Sequence, residues 1–590
     1  MTSNSPADIY AERMGQLSAQ LRALRPRSAL IGLGRLICFG LALGGGVVAQ
    51  GGDALGAAVG ATAAAAFVLL LLADAALQEQ RAALGRRRTF CSDGLTRLAG
   101  RAPATAAAGL AWATADHPYA LDLDLVGEAG LYPRLGSPST AAGGQCLAAW
   151  LLAPAPAAEV RARQVAVLEL APQHLLREAA MSQAAALGDN LHPDALARWG
   201  AAAAPTALLG PTTGGLLAAL TSLSTGLIAF AWLRGACGGG PLLAALAWHW
   251  TLARLLRAGT QARVAALELP RLALPPLRRL GAALRAAQLQ APLLMQLQGA
   301  WGPATEVCLA QLQRRAEALD WAHNLFFAPI AAWLFWTPQV AWQVERWRRR
   351  LGPALAAWQE ALARWEALLC LATYAFEQPT DVMPELLDTG AVLEARGLAH
   401  PLLPAATAVR NDLSLHPDAP LMLISGSNMS GKSTFLRALG LNVALAWAGA
   451  PVRAQALTLS PLQIGATLRV QDSLQRGSSR FYAELQRLQQ LHRLAAAGPP
   501  LLALLDELLA GTNSHDRALG AAAVLRRLLA TGALVLATTH DLALTQLVDL
   551  PLVNYHFVDA LSAHEPYRLR PGVVPASNAL ALMRQLELTE

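Results

Sequence analysis

Two uncharged runs, parted by a single aspartate, set the first condition on how this chain folds. Leu36–Gly52 holds seventeen residues without a charge and Ala54–Ala73 twenty more, including the run Phe67-Val68-Leu69-Leu70-Leu71-Leu72. At about 1.5 Å of rise per residue, each as a helix approaches the roughly 30 Å thickness of a hydrocarbon core. The link Gln50-Gly51-Gly52-Asp53 is short, so the pair reads as a membrane hairpin. The rival reading, a hairpin buried in a soluble core, is weaker because core helices keep a polar face. Arg22, Arg25, Arg27 and Arg35 precede the hairpin, and Arg81, Arg86, Arg87 and Arg88 follow it. The positive-inside rule places both ends in the cytoplasm. The apolar run starts too late for a cleaved signal peptide, and a second run follows at once.

A second pair lies mid-chain. Trp199–Leu233 is thirty-five residues without charge, and Gly235–Ala253 nineteen more, with Gly238-Gly239-Gly240 at the connection and Arg254 and Arg257 beyond. This predicts four spans in all. A fifth apolar run, Trp321–Val344, carries Pro329, Pro338, His323, Asn324 and four tryptophans, and reads as interfacial or as part of a packed helical arm, with a fifth span as the lesser alternative. The composition agrees with lipid contact: 54% of residues are hydrophobic and 15% charged, against about 25% charged in an average soluble domain. Mean hydropathy is +0.34. That excludes disorder for most of the chain. Six scattered cysteines without a CxxC pair argue against a disulfide framework or zinc knuckle and fit a reducing compartment.

Outside the apolar runs, 74–198 and 254–379 are helical in tone, broken by Pro-rich joints such as Leu274-Pro275-Pro276. The last two hundred residues differ. Short apolar runs (Leu421–Ile424, Leu501–Leu505, Ala533–Ala537) alternate with helical ones, which predicts a buried, largely parallel sheet.

The first of these strands runs into Gly426-Ser427-Asn428-Met429-Ser430-Gly431-Lys432-Ser433-Thr434. This GxxxxGK[ST] pattern between a strand and a helix is a phosphate-binding loop. Its glycines let backbone N–H groups point inward, and the following helix adds the positive end of its dipole. Lys432 is the only lysine; the other 46 basic residues are arginines. A composition that replaces lysine everywhere else leaves it where a compact ammonium is needed. Lys432 would reach the β- and γ-phosphates of ATP, and Ser433 would offer its hydroxyl to Mg2+. The second strand ends in Asp506-Glu507, a Walker B pattern: Asp506 would hold Mg2+ and Glu507 would act as general base. The third ends in Thr538-Thr539-His540, where His540 could sense the γ-phosphate.

The segment 396–583 resembles the ATPase domain of the MutS DNA mismatch repair family. GSNMSGKST stands for that family's GPNMGGKST. Ile464-Gly465-Ala466, Asp472 and Gly477–Glu484 resemble the RIGA…D…GRSTFxxEM segment. Asp506-Glu507, Gly511-Thr512 and Asp516 match DExxxGTxxxDG, and His540 matches TTH. His400-Pro401-Leu402, Asn411-Asp412, Tyr567-Arg568-Leu569 and Gly572 match flanking positions. More weakly, Thr140, Gly144, Leu147, Trp150-Leu151, Pro154, Arg163-Gln164 and Val167 resemble the start of the family's core and lever helices.

The resemblance implies an α/β P-loop (ABC-type) ATPase domain at the C-terminus, behind a mostly α-helical core and lever region with membrane-spanning helices. The implied segments are 1–90 with the first hairpin, 91–200 as core, 201–256 as second hairpin, 257–380 as lever and 381–590 as ATPase. It implies ATP and Mg2+, and a homodimer in which Ser479 of one copy reaches the γ-phosphate of the other. Phe481, Leu485 and Leu488 would share one face of the helix after Ser479. DNA is the implied partner, with membrane lipid around four spans, at a bacterial-type inner membrane with the ATPase in the cytoplasm. The family's Phe-x-Glu mismatch reader does not occur, no appended nuclease is expected, and Ser577-Asn578-Ala579 stands for its Ser-Tyr-Gly. Arg278-Arg279, Arg314-Arg315, Arg346 and Arg348–Arg350 read either as a grip on DNA phosphates or as juxtamembrane anchors. The alternative function is an ABC-class membrane ATPase, or nucleotide switch, acting on a protein or lipid.

Overall fold

The structure is a computed structural model and describes residues 5–136, 138–186, 195–203, 210–324, 327–427, 430–469, 480–509, 514–547, 549–557 and 566–574. The chain has a helical N-terminal region and a C-terminal α/β domain, and divides into two compact units. One unit holds Met1–Ser137, Leu147–Ser182 and Leu368–Glu590; the other holds Pro138–Cys146 and Gln183–Ala367.

In the first unit the two opening runs sit inside helices far longer than themselves, Pro6–Ala49 and Ala54–Leu98. Asp53 caps the second, accepting from the N–H groups of Leu55 and Gly56. The charges that bound the runs meet: Arg35 Nη1 lies 2.7 Å from Asp74 Oδ2. The pair fixes the hairpin register at the foot of the apolar section. Near the turn the helices touch through glycine. A Cβ at Gly45 would stand 2.6 Å from Gly60 N, so the close approach needs small residues there. The outer surface bears exposed Leu36, Leu43, Val47, Leu55, Leu69 and Leu72. An apolar patch of that extent marks a surface that meets lipid or a partner.

Below this section the hairpin is tied down by polar contacts. Arg97 pairs in two-pronged fashion with Glu377, Tyr10 Oη donates to Glu377 Oε1 at 3.0 Å, and Arg13 clasps Glu178. Both sides of the Arg97–Glu377 pair are buried. Removing one partner would strand a buried charge, a loss of about 3–5 kcal/mol.

The α/β part of this unit carries two sheets. Glu385–Leu386 (β1), Leu393–Leu398 (β2), Asn411–Leu415 (β3) and Ala456–Leu459 (β5) form a four-stranded sheet in the order β1-β5-β2-β3. Leu421–Ser425 (β4), Gln463–Thr467 (β6), Leu501–Leu505 (β7), Leu534–Thr539 (β8), Leu552–Phe557 (β9) and Leu569–Pro571 (β10) form the larger sheet, in the order β10-β9-β4-β8-β7-β6. All its neighbours are parallel except β10 against β9. β4, β7 and β8 are buried along their whole length, as expected of parallel strands covered on both faces. The four-stranded sheet has alternating, half-buried strands that show no continuous apolar run, and sequence reading does not find it.

Residues of the helical core pack onto this domain. The Arg163 guanidinium lies over the Trp150 ring at 4.1 Å and donates to Trp447 O, and Gln164 donates to Pro384 O.

The second unit is helical. Pro211–Leu233 exposes Leu216, Leu220, Leu223, Leu227 and Phe230 on one stripe. Its opposite face is pinned: Ser222 Oγ donates to Trp333 O at 2.8 Å, and Trp248 Nε1 to Thr221 Oγ1 at 3.2 Å. Thr140 Oγ1 donates to Glu366, whose Oε1 also accepts from Ser139 N at 2.6 Å and Thr140 N at 3.1 Å. Burial pushes the Glu366 carboxyl up to about 7 despite these donors.

Two expectations are corrected here and one is settled between alternatives. Among the described residues, three helices are long and apolar enough to cross a membrane, by length and composition: Pro6–Ala49, Ala54–Leu98 and Thr212–Leu233. The fourth expected span, 235–253, opens the helix Gly239–Ala286, which is not among them. Trp248-His249-Trp250-Thr251 lower its hydropathy. That helix also runs straight through Pro275-Pro276 instead of breaking there. Two prolines cost their backbone hydrogen bonds, but Ala273, Leu274 and Leu277 beside them are buried, and packing holds the element. Finally, Trp321–Val344 is divided between helices ending at Trp321, spanning Ala328–Trp333 and starting at Trp336, so it is a packed arm and no single span.

Candidate functional site

Parallel pairing brings the three motif-bearing strands to one edge. Ser425 stands opposite Thr539, and Leu505 opposite Ala537. The loop after β4, the acidic pair after β7 and the histidine after β8 therefore leave the sheet side by side, at the carboxyl ends where open α/β sheets bind ligands.

Lys432 opens the helix Lys432–Ala448 and is buried. Its Nζ donates to Gly426 O at 2.8 Å and Ser427 O at 2.7 Å, which curls the loop around the ammonium. Gly431 caps the helix at φ +102°, and a Cβ there would meet Tyr567 Cδ1 at 3.1 Å. Glycine is needed at this position for both reasons. Ser430 Oγ is buried with no hydrogen-bond partner among the described residues. Ser433 is half-buried and Thr434 exposed, both in the first helical turn. Asn428 and Met429 lie outside the described residues.

Asp506 Oδ1 accepts a 2.5 Å hydrogen bond from Thr538 Oγ1, and the same hydroxyl accepts from Glu507 N at 3.0 Å. Thr538 thus ties the end of β8 to the acidic pair. Its signal in the sequence is its place in Thr538-Thr539-His540, where attention goes to the histidine. Glu507 sits at φ +49° and Leu509 at φ +57°. Such backbone is costly for residues with a Cβ and is held by its surroundings. One holder is Glu484: its buried carboxylate accepts from Leu509 N at 2.6 Å. His540 Nε2 donates to Glu507 Oε1 at 2.6 Å, so the expected sensor and the expected base are in direct contact.

The helix expected after Ser479 is Arg480–Ala496. Phe481 and Leu488 of the expected face pack inward, but Leu485 is exposed and Glu484 is buried beside them. A polar residue turned inward to bond backbone defeats a reading based on apolar spacing. Arg487 on this helix donates to Asp122 Oδ2 at 2.7 Å, and Asp122 Oδ1 accepts from Leu468 N and Arg469 N at 2.8 Å each. Asp122 is buried and carries no motif. Asp472, Ser479, Gly511-Thr512 and Ser577-Asn578-Ala579 lie outside the described residues, as does the side chain of Asp516.

A cleft of about 470 Å³ opens beside the loop, with Lys432, Ser433 and Glu507 at its polar end and Leu398, Leu403 and Val409 among its apolar walls. The residues fit magnesium-bound ATP: a curled loop with a buried ammonium, an orphaned hydroxyl at Ser430, and an oriented carboxylate at Asp506. His400 also lines the cleft, its Nδ1 accepting from Leu402 N at 3.2 Å. Burial, with Arg437, Arg134 and Arg453 nearby, depresses its pKa from 6.5 to about 4. The fold therefore favours the neutral ring. Stability is intact above pH 6.5 and falls as the pH drops from 6.5 towards 4, where the unfolded chain takes up a proton that the folded one resists. The thermal midpoint should decline over that window, and His400→Asn should flatten the decline.

Residues 422–576 match the family model for MutS domain V. This stretch, which carries the site, is therefore a MutS domain V. MutS domain V is a P-loop ATPase-type domain, and the larger parallel sheet carries it here. Among similar proteins are the Endonuclease MutS2 of Pelotomaculum thermopropionicum, 32% identical over 247 residues, covering 40% of this chain and 30% of the relative. That of Thermus thermophilus is 37% identical over 195 residues, covering 32% and 26%. That of Listeria monocytogenes is 31% identical over 268 residues, covering 42% and 33%. The chain thus spans about a third or less of the length of the curated relatives it matches.

Proposed function

We propose that this MutS-family chain is a membrane-held ATPase, working as a homodimer that binds DNA of mismatched, branched or damaged structure in repair or recombination. The observation that carries the reading is the meeting of Lys432, Asp506, Glu507 and His540 at one sheet edge. Lys432 and the loop N–H groups would hold the phosphates, with Ser430 Oγ a further donor. Ser433 and Asp506 would hold Mg2+, which when bound neutralises phosphate charge and activates the terminal group. Asp506 is kept in position by Thr538. Glu507, turned by its left-handed backbone and steadied by His540, would take the proton of the attacking water. The apolar walls of the cleft suit a nucleoside. Ser479 would complete the site of the opposite copy. The exposed apolar faces of the three long helices support anchorage in a membrane, and the flanking arginines suggest that both ends of the opening hairpin face the cytoplasm.

DNA is the partner that the likeness to the MutS2 proteins suggests. The ATPase rate of the full chain in detergent should rise severalfold with branched or mismatched duplex and less with homoduplex. A rate indifferent to all three would overturn the DNA assignment and favour an ATPase acting on a protein or lipid.

A further inference from the structure

In the helical second unit, two helices place three arginines around one cavity. Arg315 comes from Pro303–Trp321; Arg346 and Arg350, one turn apart, come from Trp336–Leu351. Gln311, Gln343 and Trp342 are also in its lining, and its volume is about 400 Å³. Among the described residues no carboxylate lines it. The nearest acidic residue on that helix, Glu345, faces elsewhere and holds Arg348 at 2.9 Å and Arg349 at 3.2 Å. Arg315 Nη1 is buried without a hydrogen-bond partner among the described residues. Guanidinium groups grouped without a counter-charge repel one another, and a buried unpaired N–H is costly. An anion with several oxygens removes both costs, and phosphate suits the planar fork of arginine best.

The place of the cavity points to the source of that phosphate. Gly215 lies on its wall, in the second turn of Pro211–Leu233. If that helix spans, the cavity stands where the span begins, at headgroup depth on the cytoplasmic side. A DNA duplex would need several phosphates met along an extended ridge, whereas a cavity of about 400 Å³ takes a single group.

We propose that this cavity binds the phosphate headgroup of an anionic phospholipid of the cytoplasmic leaflet. The assignment rests on the membrane reading above for its lipid, but its test does not depend on insertion. Soluble dioctanoyl phosphatidylglycerol and dioctanoyl phosphatidylcholine are titrated against the full chain in a nonionic detergent, with binding read by thermal shift and native mass spectrometry. The anionic lipid should bind at least about tenfold more tightly, the scale of losing charge-assisted hydrogen bonds. Arg346→Gln with Arg350→Gln should abolish that preference, and Arg349→Gln, whose side chain Glu345 holds outside the cavity, should keep it. If the double variant does not fold, Arg350→Gln alone, at an exposed position, is read instead. Equal binding of the two lipids, or an undiminished preference in the variants, would overturn the proposal. So would stabilisation by inorganic phosphate that the lipid does not exceed, or a variant that loses affinity for a DNA duplex while keeping the lipid. Release of the chain from membranes by alkaline carbonate with the lipid preference intact would sink the spanning reading and leave the site standing. Loss of the preference in a chain that stays in the membrane pellet would do the reverse.

Discussion

Glu507→Gln should bind ATP as the unaltered chain does and hydrolyse it at least about 10²-fold more slowly, the scale of a lost general base. The reason lies in how firmly the position is held. The residue sits at φ +49°, its N–H donates to Thr538 Oγ1, and its carboxylate is met by His540 at 2.6 Å. Glutamine keeps the size and can still accept from the imidazole, so the surroundings should remain in place. It cannot take up a proton. Binding measured by equilibrium dialysis and turnover measured by phosphate release separate the two effects. Turnover at the ordinary rate would mean that the base is another group.

Lys432→Ala acts earlier, on binding itself. The ammonium is buried and makes two short hydrogen bonds to loop carbonyls, so its removal both uncurls the loop and leaves phosphate charge unmet. Two charge-assisted hydrogen bonds at the low end of their range sum to about 3 kcal/mol, roughly a hundredfold in affinity. Lys432→Arg should not restore binding, because a planar fork does not fit where one nitrogen meets two carbonyls. Isothermal titration with a non-hydrolysable ATP analogue distinguishes these outcomes from the unaltered chain. Wild-type affinity in Lys432→Ala would remove the loop from the account.

The site's backbone elements were legible because each carries a distinct signal. A lone lysine in a glycine-rich loop, an apolar strand ending in Asp506-Glu507 and a second ending in His540 each announce themselves locally, and parallel pairing does the rest. What could not be read are contacts made by polar residues turned inward. Thr538 bridges β8 to Asp506, Glu484 holds the turn after Glu507, and Asp122 clasps Arg487 from more than three hundred positions away. None has a periodicity, and each is defined by a partner distant in sequence. The same limit explains the half-buried sheet of β1, β2, β3 and β5. It also explains the proline-bearing helix Gly239–Ala286, where packing overrides a local breaker. The hairpin shows both sides. Its two runs were plain, but the closure of Arg35 on Asp74 and the glycine contact at Gly45 belong to the paired helices alone.

In the proposed function ATP is hydrolysed between two copies of the chain, each lending Ser479 to the site of the other. Its most direct test mixes two inactive variants, Ser479→Arg and Lys432→Ala, and measures phosphate release against each alone. A mixed dimer contains one site in which an intact Lys432 faces an intact Ser479. Activity should therefore return on mixing, while Ser479→Arg alone binds ATP and turns it over hardly at all. Hydrolysis at the wild-type rate by Ser479→Arg alone, as a monomer, would contradict the shared site and leave a self-contained ATPase in its place.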